Sequence, residues 1–213
     1  MFTDRFGNGS PNFEIYPDGY STAGKTDRAI FSELFEYLAS DKAHSPVNDD
    51  PVILQEIENA YVERLKVELE IKRSKYQVLP GVIELLDALS STEMLVGLGT
   101  GNLESAAGMK LEFGGLDKYF SFGGYGSDSR VRSKVLSMAV KRASDLSGRD
   151  FQANEVVFIG DTDRDISAAQ EIGGSVIAVE TGPTKGKNLE KADLIVPNLH
   201  SDLVYNYLGL RGK

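Results

Sequence analysis

The 213-residue chain contains no cysteine. That excludes a disulfide framework, a thiol nucleophile and any cysteine-based zinc site. Basic residues are also scarce: 23 Lys and Arg stand against 32 Asp and Glu, a formal charge of −9. A nucleic-acid-binding face needs the opposite balance, so no nucleic-acid partner is expected. A phosphorylated substrate is not excluded, because a site is local and a bound cation inverts the field around it. No apolar run approaches the length of a membrane-spanning helix. Residues 1–20 lack the charged-then-apolar order of a signal peptide. The chain shows no internal repeat and no low-complexity tract. The expectation is a soluble, cytoplasmic protein with no membrane partner.

What is present is a hydrophobic content of 41%, enough for a sizeable core, in a length that suits one domain or a domain with a smaller companion. Residues 1–24 are rich in Gly, Pro, Asn and aromatics and read as a loop, with a helix tail over 1–6. Asp27–Ala39 places Ile30, Phe31, Leu34, Phe35 and Leu38 on one helical face, with Thr26 or Asp27 as its cap. Asp50-Pro51 opens a long helix with Ile53, Ile57, Tyr61, Leu65 and Leu69 as its stripe. From Tyr76 the pattern becomes an alternation. Helices are expected at 81–90, 103–113, 130–146, 163–172 and 201–208, and strands at 94–99, 118–123, 156–159, 175–179 and 194–196. Val131, Val135, Met138, Ala139 and Ala143 are the expected inward residues of the helix over 130–146. This alternation implies βαβ units and a parallel sheet.

The stretch VVFIGDTDRDI, Val156–Ile166, carries the strongest chemical signal. Four apolar residues read as a strand buried on both faces. Gly160 ends it, and Asp161 and Asp165 follow just past its carboxyl end, where open α/β sheets place their ligands. Two carboxylates there suit a hard cation such as Mg²⁺. The blander reading is a strand followed by an Asp-capped helix. Two weaker signals stand beside it. Thr100-Gly101-Asn102 follows the strand LVGLG and offers a hydroxyl and backbone N–H groups to phosphate oxygens; a capping Thr with a turn is the ordinary alternative. Arg132 and Lys134 open a helix after the loop GSDSR, where a cation can neutralise a phosphate, although basic residues at surface helix starts are commonly only solvated.

Together, in the order Thr, cation, double Asp at successive strand ends, these signals resemble the haloacid-dehalogenase superfamily of phosphohydrolases. The phosphoglycolate-phosphatase-like members are the nearest in pattern. LPGVIELLDALS, LGTGNLESAAGMKLE, FGGYGSDSRVRSKVLSMAVKRA and VVFIGDTDRDISAAQEIGGSVIAVETG are the matching segments, and AGKTDRAI resembles the cap segment. The resemblance implies a parallel α/β core over 77–213 and a small helical cap over 1–76, incomplete at its start. It implies a Mg²⁺-dependent phosphomonoesterase of small phosphorylated metabolites, working through an aspartyl-phosphate. Thr100 would bind phosphoryl oxygens, with Gly101 and Asn102 beside it. Arg132 or Lys134 would be the stabilising cation. Asp161 would hold Mg²⁺ directly, and Asp165 directly or through water. Lys25, Thr26 and Asp27 would contribute to substrate binding at the start of the cap, which closes over the site.

The family's first motif, an apolar strand ending in two Asp spaced one apart and followed by Gly-Thr, is not found. No apolar strand precedes Asp4, and Phe6 stands where the second Asp is needed. That motif supplies the nucleophile and the general acid/base. Its strand, by the resemblance, is the middle of the sheet, so its neighbours are expected to face each other with unpaired backbone. A start site placed too late is the first explanation. A nucleophile-less relative that keeps a phosphate and metal cradle is the second.

Overall fold

The computed structural model describes residues 20–39, 51–71, 77–182 and 189–210. The helix tail expected over residues 1–6 lies outside them. Seven α-helices are described: α1 Asp27–Ala39, α2 Pro51–Ile71, α3 Val82–Ser90, α4 Glu104–Phe113, α5 Arg132–Ser147, α6 Asp163–Glu171 and α7 Asp202–Tyr207. The strands are β1 Leu98–Gly99, β2 Gly123–Gly124, β3 Val157–Gly160, β4 Ser175–Val179 and β5 Leu194–Val196. Every pairing is parallel. No helix among the described residues is long and apolar enough to cross a membrane.

β4 shows why this alternation folds as a layered α/β unit. It is paired on both sides, with Phe158 opposite Val176 and Ala178 opposite Ile195. Val176 and Ala178 turn into a cluster with Leu136, Ile166 and Ala169 of α5 and α6. Ile177 and Val179 turn the other way, against Leu85 and Leu89 of α3 and Val204 of α7. A strand covered on both faces reads as continuously apolar, as SVIAV does.

The strands are organised as two sheets, β1-β2 and β3-β4-β5. β1 is paired only with β2, and β3 only with β4. One side of β1 and one side of β3 are therefore without a strand partner among the described residues. The expected strand at 94–99 is regular only at Leu98–Gly99. The expected strand at 118–123 is a correction: Asp117–Tyr119 is a 3-10 turn, and pairing begins only at Gly123. β3 is a second correction, since Ile159 is 41% exposed rather than buried on both faces. A strand with a single neighbour lacks the cover its apolar run anticipates. Val131 is a third: it precedes the first turn of α5 and is exposed, while Val135, Leu136 and Ala139 are buried.

α1 and α2 pack on the α/β part through one continuous cluster. Phe31, Ile57, Leu65 and Leu69 meet Leu103 and Ala106 at the start of α4, with Ile53, Tyr61 and Phe113 at its margin. The Phe31 and Tyr61 rings meet edge to face at 5.5 Å, a favoured aromatic geometry. Of the apolar face expected on α1, Phe31 and Leu34 are buried, while the side chains of Phe35 and Leu38 lie outside the described residues.

Candidate active site

A cleft of about 590 Å³ opens at the carboxyl ends of β1 and β3. Its floor carries Thr100, Gly101, Asn102, Arg132, Asp161, Thr162 and Asp165, and its other wall carries Lys25, Asp27, Phe31, Tyr61, Arg64 and Lys110. Residues expected from three separated segments are thus brought to one cleft. Lys134 is not among them: it is exposed, on the first turn of α5. Thr26 is not in the wall either. It is 1% exposed and caps α1, accepting from Ala29 N–H and donating to the Arg130 carbonyl.

The Thr100 hydroxyl accepts two hydrogen bonds from Asn102, one from its backbone N–H at 3.1 Å and one from its side-chain Nδ2 at 2.8 Å. Lys110 donates in turn to Asn102 Oδ1 at 2.5 Å. The backbone N–H groups expected to face a phosphate are partly spent here. That of Asn102 goes to Thr100, and that of Leu103 goes to Asp27 Oδ2 at 2.8 Å. Gly101 is required by a close approach. A Cβ at this position would strike the Lys25 carbonyl and lie 3.0 Å from Arg132 Nη1. The Asp27 N–H donates to the Gly101 carbonyl at 2.7 Å, so α1 begins pinned to the loop that ends β1.

Arg132 spans the site. Its Nη2 donates to the Gly99 carbonyl at the end of β1, 3.0 Å away, and lies 2.8 Å from Asp165 Oδ1. Asp165 has two duties. Its Oδ2 accepts from the Thr162 N–H and hydroxyl, and its own N–H donates back to Thr162 Oγ1, a capping box that starts α6. Its Oδ1 is buried and makes no hydrogen bond, only the ion pair. The capping reading and the ligand reading of Asp165 therefore describe different oxygens. Asp161 lies against Gly182, where a Cβ would overlap its carboxylate.

These residues fit Mg²⁺. The donors are hard oxygens, and two carboxylates share one cleft. Mg²⁺ is commonly held by one or two carboxylates with the remaining positions left to water and substrate phosphate. No cluster of three or more acidic or His groups occurs among the described residues, so the protein alone offers a partial shell.

Sequence reasoning missed four wall residues as parts of a site: Phe31, Tyr61, Arg64 and Lys110. Lys110 lies on α4, and burial lowers its pKa against the pull of the Asp27 carboxylate. Burial likewise raises Asp27, opposed by its hydrogen bond from Leu103 N–H and by the Lys110 charge. Arg64 and Tyr61 come from α2. Lys110 sits eight residues beyond Asn102, and no local spacing rule connects the two; only the turn between β1 and α4 brings them together.

The fold resembles solved structures at low sequence identity. A β-phosphoglucomutase from Clostridium difficile superposes with a TM-score of 0.63 at 19% identity, over 87% of this chain and 76% of that one. A haloacid-dehalogenase-type phosphatase from Thermococcus onnurineus gives 0.56 at 20% identity, over 84% and 70%. A curated phosphoglycolate phosphatase from Synechococcus elongatus is 30% identical over 106 residues, 50% of this chain. The chain spans about half, 47%, of that relative's length. The sequence model of the haloacid dehalogenase-like hydrolases matches residues 19–179. With most of its length under that match, the chain belongs to the haloacid dehalogenase-like hydrolase family.

Proposed function

We propose that this cleft binds the phosphoryl group of a small phosphorylated metabolite and serves the Mg²⁺-dependent hydrolysis of a phosphate monoester. The observation that carries the reading is the convergence of Thr100, Arg132, Asp161 and Asp165, from three separate strand ends, on one cleft. The family membership and the phosphoglycolate phosphatase relative support it.

In this reading Thr100 donates to a phosphoryl oxygen. Arg132, rather than Lys134, is the cation that offsets phosphoryl charge, because only Arg132 lines the cleft. Asp161 and Asp165 hold Mg²⁺, whose charge would polarise the phosphoryl group. Lys25 and Asp27, with Phe31 and Tyr61 behind them, line the wall that selects the rest of the substrate. The helical pair α1–α2 acts as a cap over an α/β core. The family chemistry passes through an aspartyl-phosphate, and the strand carrying that Asp would lie between β1 and β3, each of which has a side without a strand partner among the described residues. The second reading is a phosphate- and metal-binding protein without turnover.

The test common to both is thermal unfolding with Mg²⁺ and inorganic phosphate. A ligand that binds only the folded chain, at about 100 times its Kd, adds roughly 2.7 kcal/mol. For this length that raises Tm by about 5–10 °C. An unchanged Tm with both ligands at millimolar concentration overturns both readings. Release of phosphate from an aryl phosphate then separates the enzyme from the binding protein.

A further inference from the structure

We propose that Lys110 is a positioning residue: through Asn102 it aims the Thr100 hydroxyl proton into the cleft, toward a phosphoryl oxygen of the substrate. The inference rests on the phosphoryl-binding reading and adds to it the group that fixes the donor.

Hydrogen-bond direction fixes which way the hydroxyl proton points. A side-chain amide has an accepting end and a donating end of nearly the same shape, and either can face a hydroxyl. An ammonium can only donate. With Lys110 Nζ 2.5 Å from one end of the Asn102 amide, that end must be Oδ1. The other end, Nδ2, must then face Thr100 Oγ1, at 2.8 Å. The backbone N–H of Asn102 donates to the same oxygen at 3.1 Å. A hydroxyl has two lone pairs and one proton, so both acceptor positions are filled. The proton must leave in the remaining direction, and Thr100 lines the cleft. The hydroxyl is thereby a fixed donor rather than a rotor, which removes a reorganisation cost when an anion arrives. Without Lys110 the amide can turn over. Oδ1 then faces Thr100, and the proton is spent inside the protein.

Lys110 is held where it can do this. It lies in the last turn of α4, partly buried, with the Asp27 carboxylate as its charge partner. Asp27 is itself fixed by the Leu103 N–H at 2.8 Å.

The test uses the 213-residue chain, Mg²⁺ and inorganic phosphate, with affinity read by calorimetry. Lys110→Met should weaken phosphate binding by about 10-fold, and Lys110→Arg, which still can only donate, should restore most of it. In a Thr100→Val background, Lys110→Met should cost nothing further, because the relay has lost its end. An equal loss in both backgrounds overturns the proposal, since Lys110 would then act as a charge alone. No loss from Lys110→Met in the natural background overturns it as well. If Lys110→Met does not fold, Lys110→Gln replaces it: its amide can accept as well as donate, so it does not enforce the orientation, and the same loss is expected.

Nuclear magnetic resonance of the Asn102 side-chain amide gives a readout that needs no ligand. Its NH₂ signals should shift and exchange faster in Lys110→Met, and return in Lys110→Arg. If the wild-type chain binds no phosphate, the phosphoryl reading falls and these signals alone decide the relay. Movement supports it, and unmoved signals overturn it.

Discussion

Arg132 Nη2 lies 2.8 Å from Asp165 Oδ1 and 3.0 Å from the Gly99 carbonyl, so one guanidinium ties the end of β1 to the start of α6. Among the described residues the two sheets make no strand pairing with each other, and this side chain bridges their carboxyl ends. It holds a cation beside the Asp165 carboxylate, in the cleft that Asp161 also lines.

Arg132→Ala should therefore act on the site and on the fold together. It removes the phosphoryl cation and leaves Asp165 Oδ1 buried with no partner. We expect phosphate binding or turnover to fall about 100-fold, with a stability loss of roughly 1–3 kcal/mol. Lys134→Ala, at an exposed position, should change either quantity by less than twofold. Steady-state kinetics or calorimetry, beside a denaturant titration, checks both.

Leu103 joins the helical pair to the α/β part. It is 1% exposed and packs with Phe31, Ile57 and Leu65. Leu103→Ala should cost about 2–4 kcal/mol. Because its side chain packs against Phe31 of α1, the same change should speed amide exchange in α1. A variant within about 0.5 kcal/mol of wild type would show that α1 and α2 do not share a core with α4.

Asp128 and Arg142 form a two-pronged ion pair, with Nη1–Oδ2 at 2.7 Å and Nη2–Oδ1 at 2.8 Å. Burial alone would raise the Asp128 pKa, but the hydrogen bonds from Arg142 and the Tyr125 N–H outweigh it and hold the carboxyl below its ordinary 3.8. A carboxyl lowered in the folded state stabilises above its unfolded pKa and loses that contribution as pH falls through the folded value. Arg142→Met should therefore lower stability by about 1–2 kcal/mol at pH 7, discounted for the partial exposure of Arg142. The difference should be smaller at pH 2, where the Arg142 hydrogen bond to the Gly123 carbonyl is what remains. Urea titrations at the two pH values check the sign.

β4 should be the slowest-exchanging segment. It is paired on both sides, and Val176, Ile177 and Ala178 are fully buried. β1 is two residues long with one neighbour and should exchange early. Hydrogen exchange by mass spectrometry orders the segments. Slower exchange at β1 than at β4 would contradict this sheet arrangement.

The sequence made some of this legible and hid the rest for physical reasons. SVIAV and LIV read as strands and are strands with the expected bounds, because continuous apolar runs between helical segments have few other uses. KYFSFG also looked like a strand, yet Asp117–Tyr119 turns instead; alternating aromatics fit a half-covered surface whether or not a ladder forms there. VVFI read as doubly covered because an apolar run reports composition, while cover depends on which strands stand beside it. At the site, Thr100, Arg132, Asp161 and Asp165 were legible as residues at strand ends. Spacing alone could not separate Arg132 from Lys134, which differ by 200° around a helix, and the structure places only the former in the cleft. Lys110 was illegible, since its partner Asn102 lies outside the helix that carries it.

The most direct measurement is calorimetric binding of inorganic phosphate to the 213-residue chain with and without Mg²⁺, each with and without Asp161→Asn. The account predicts Mg²⁺-dependent phosphate binding, weakened at least about 10-fold by Asp161→Asn. Binding that needs no Mg²⁺ and is unaffected by Asp161→Asn, or no binding at all, would contradict it.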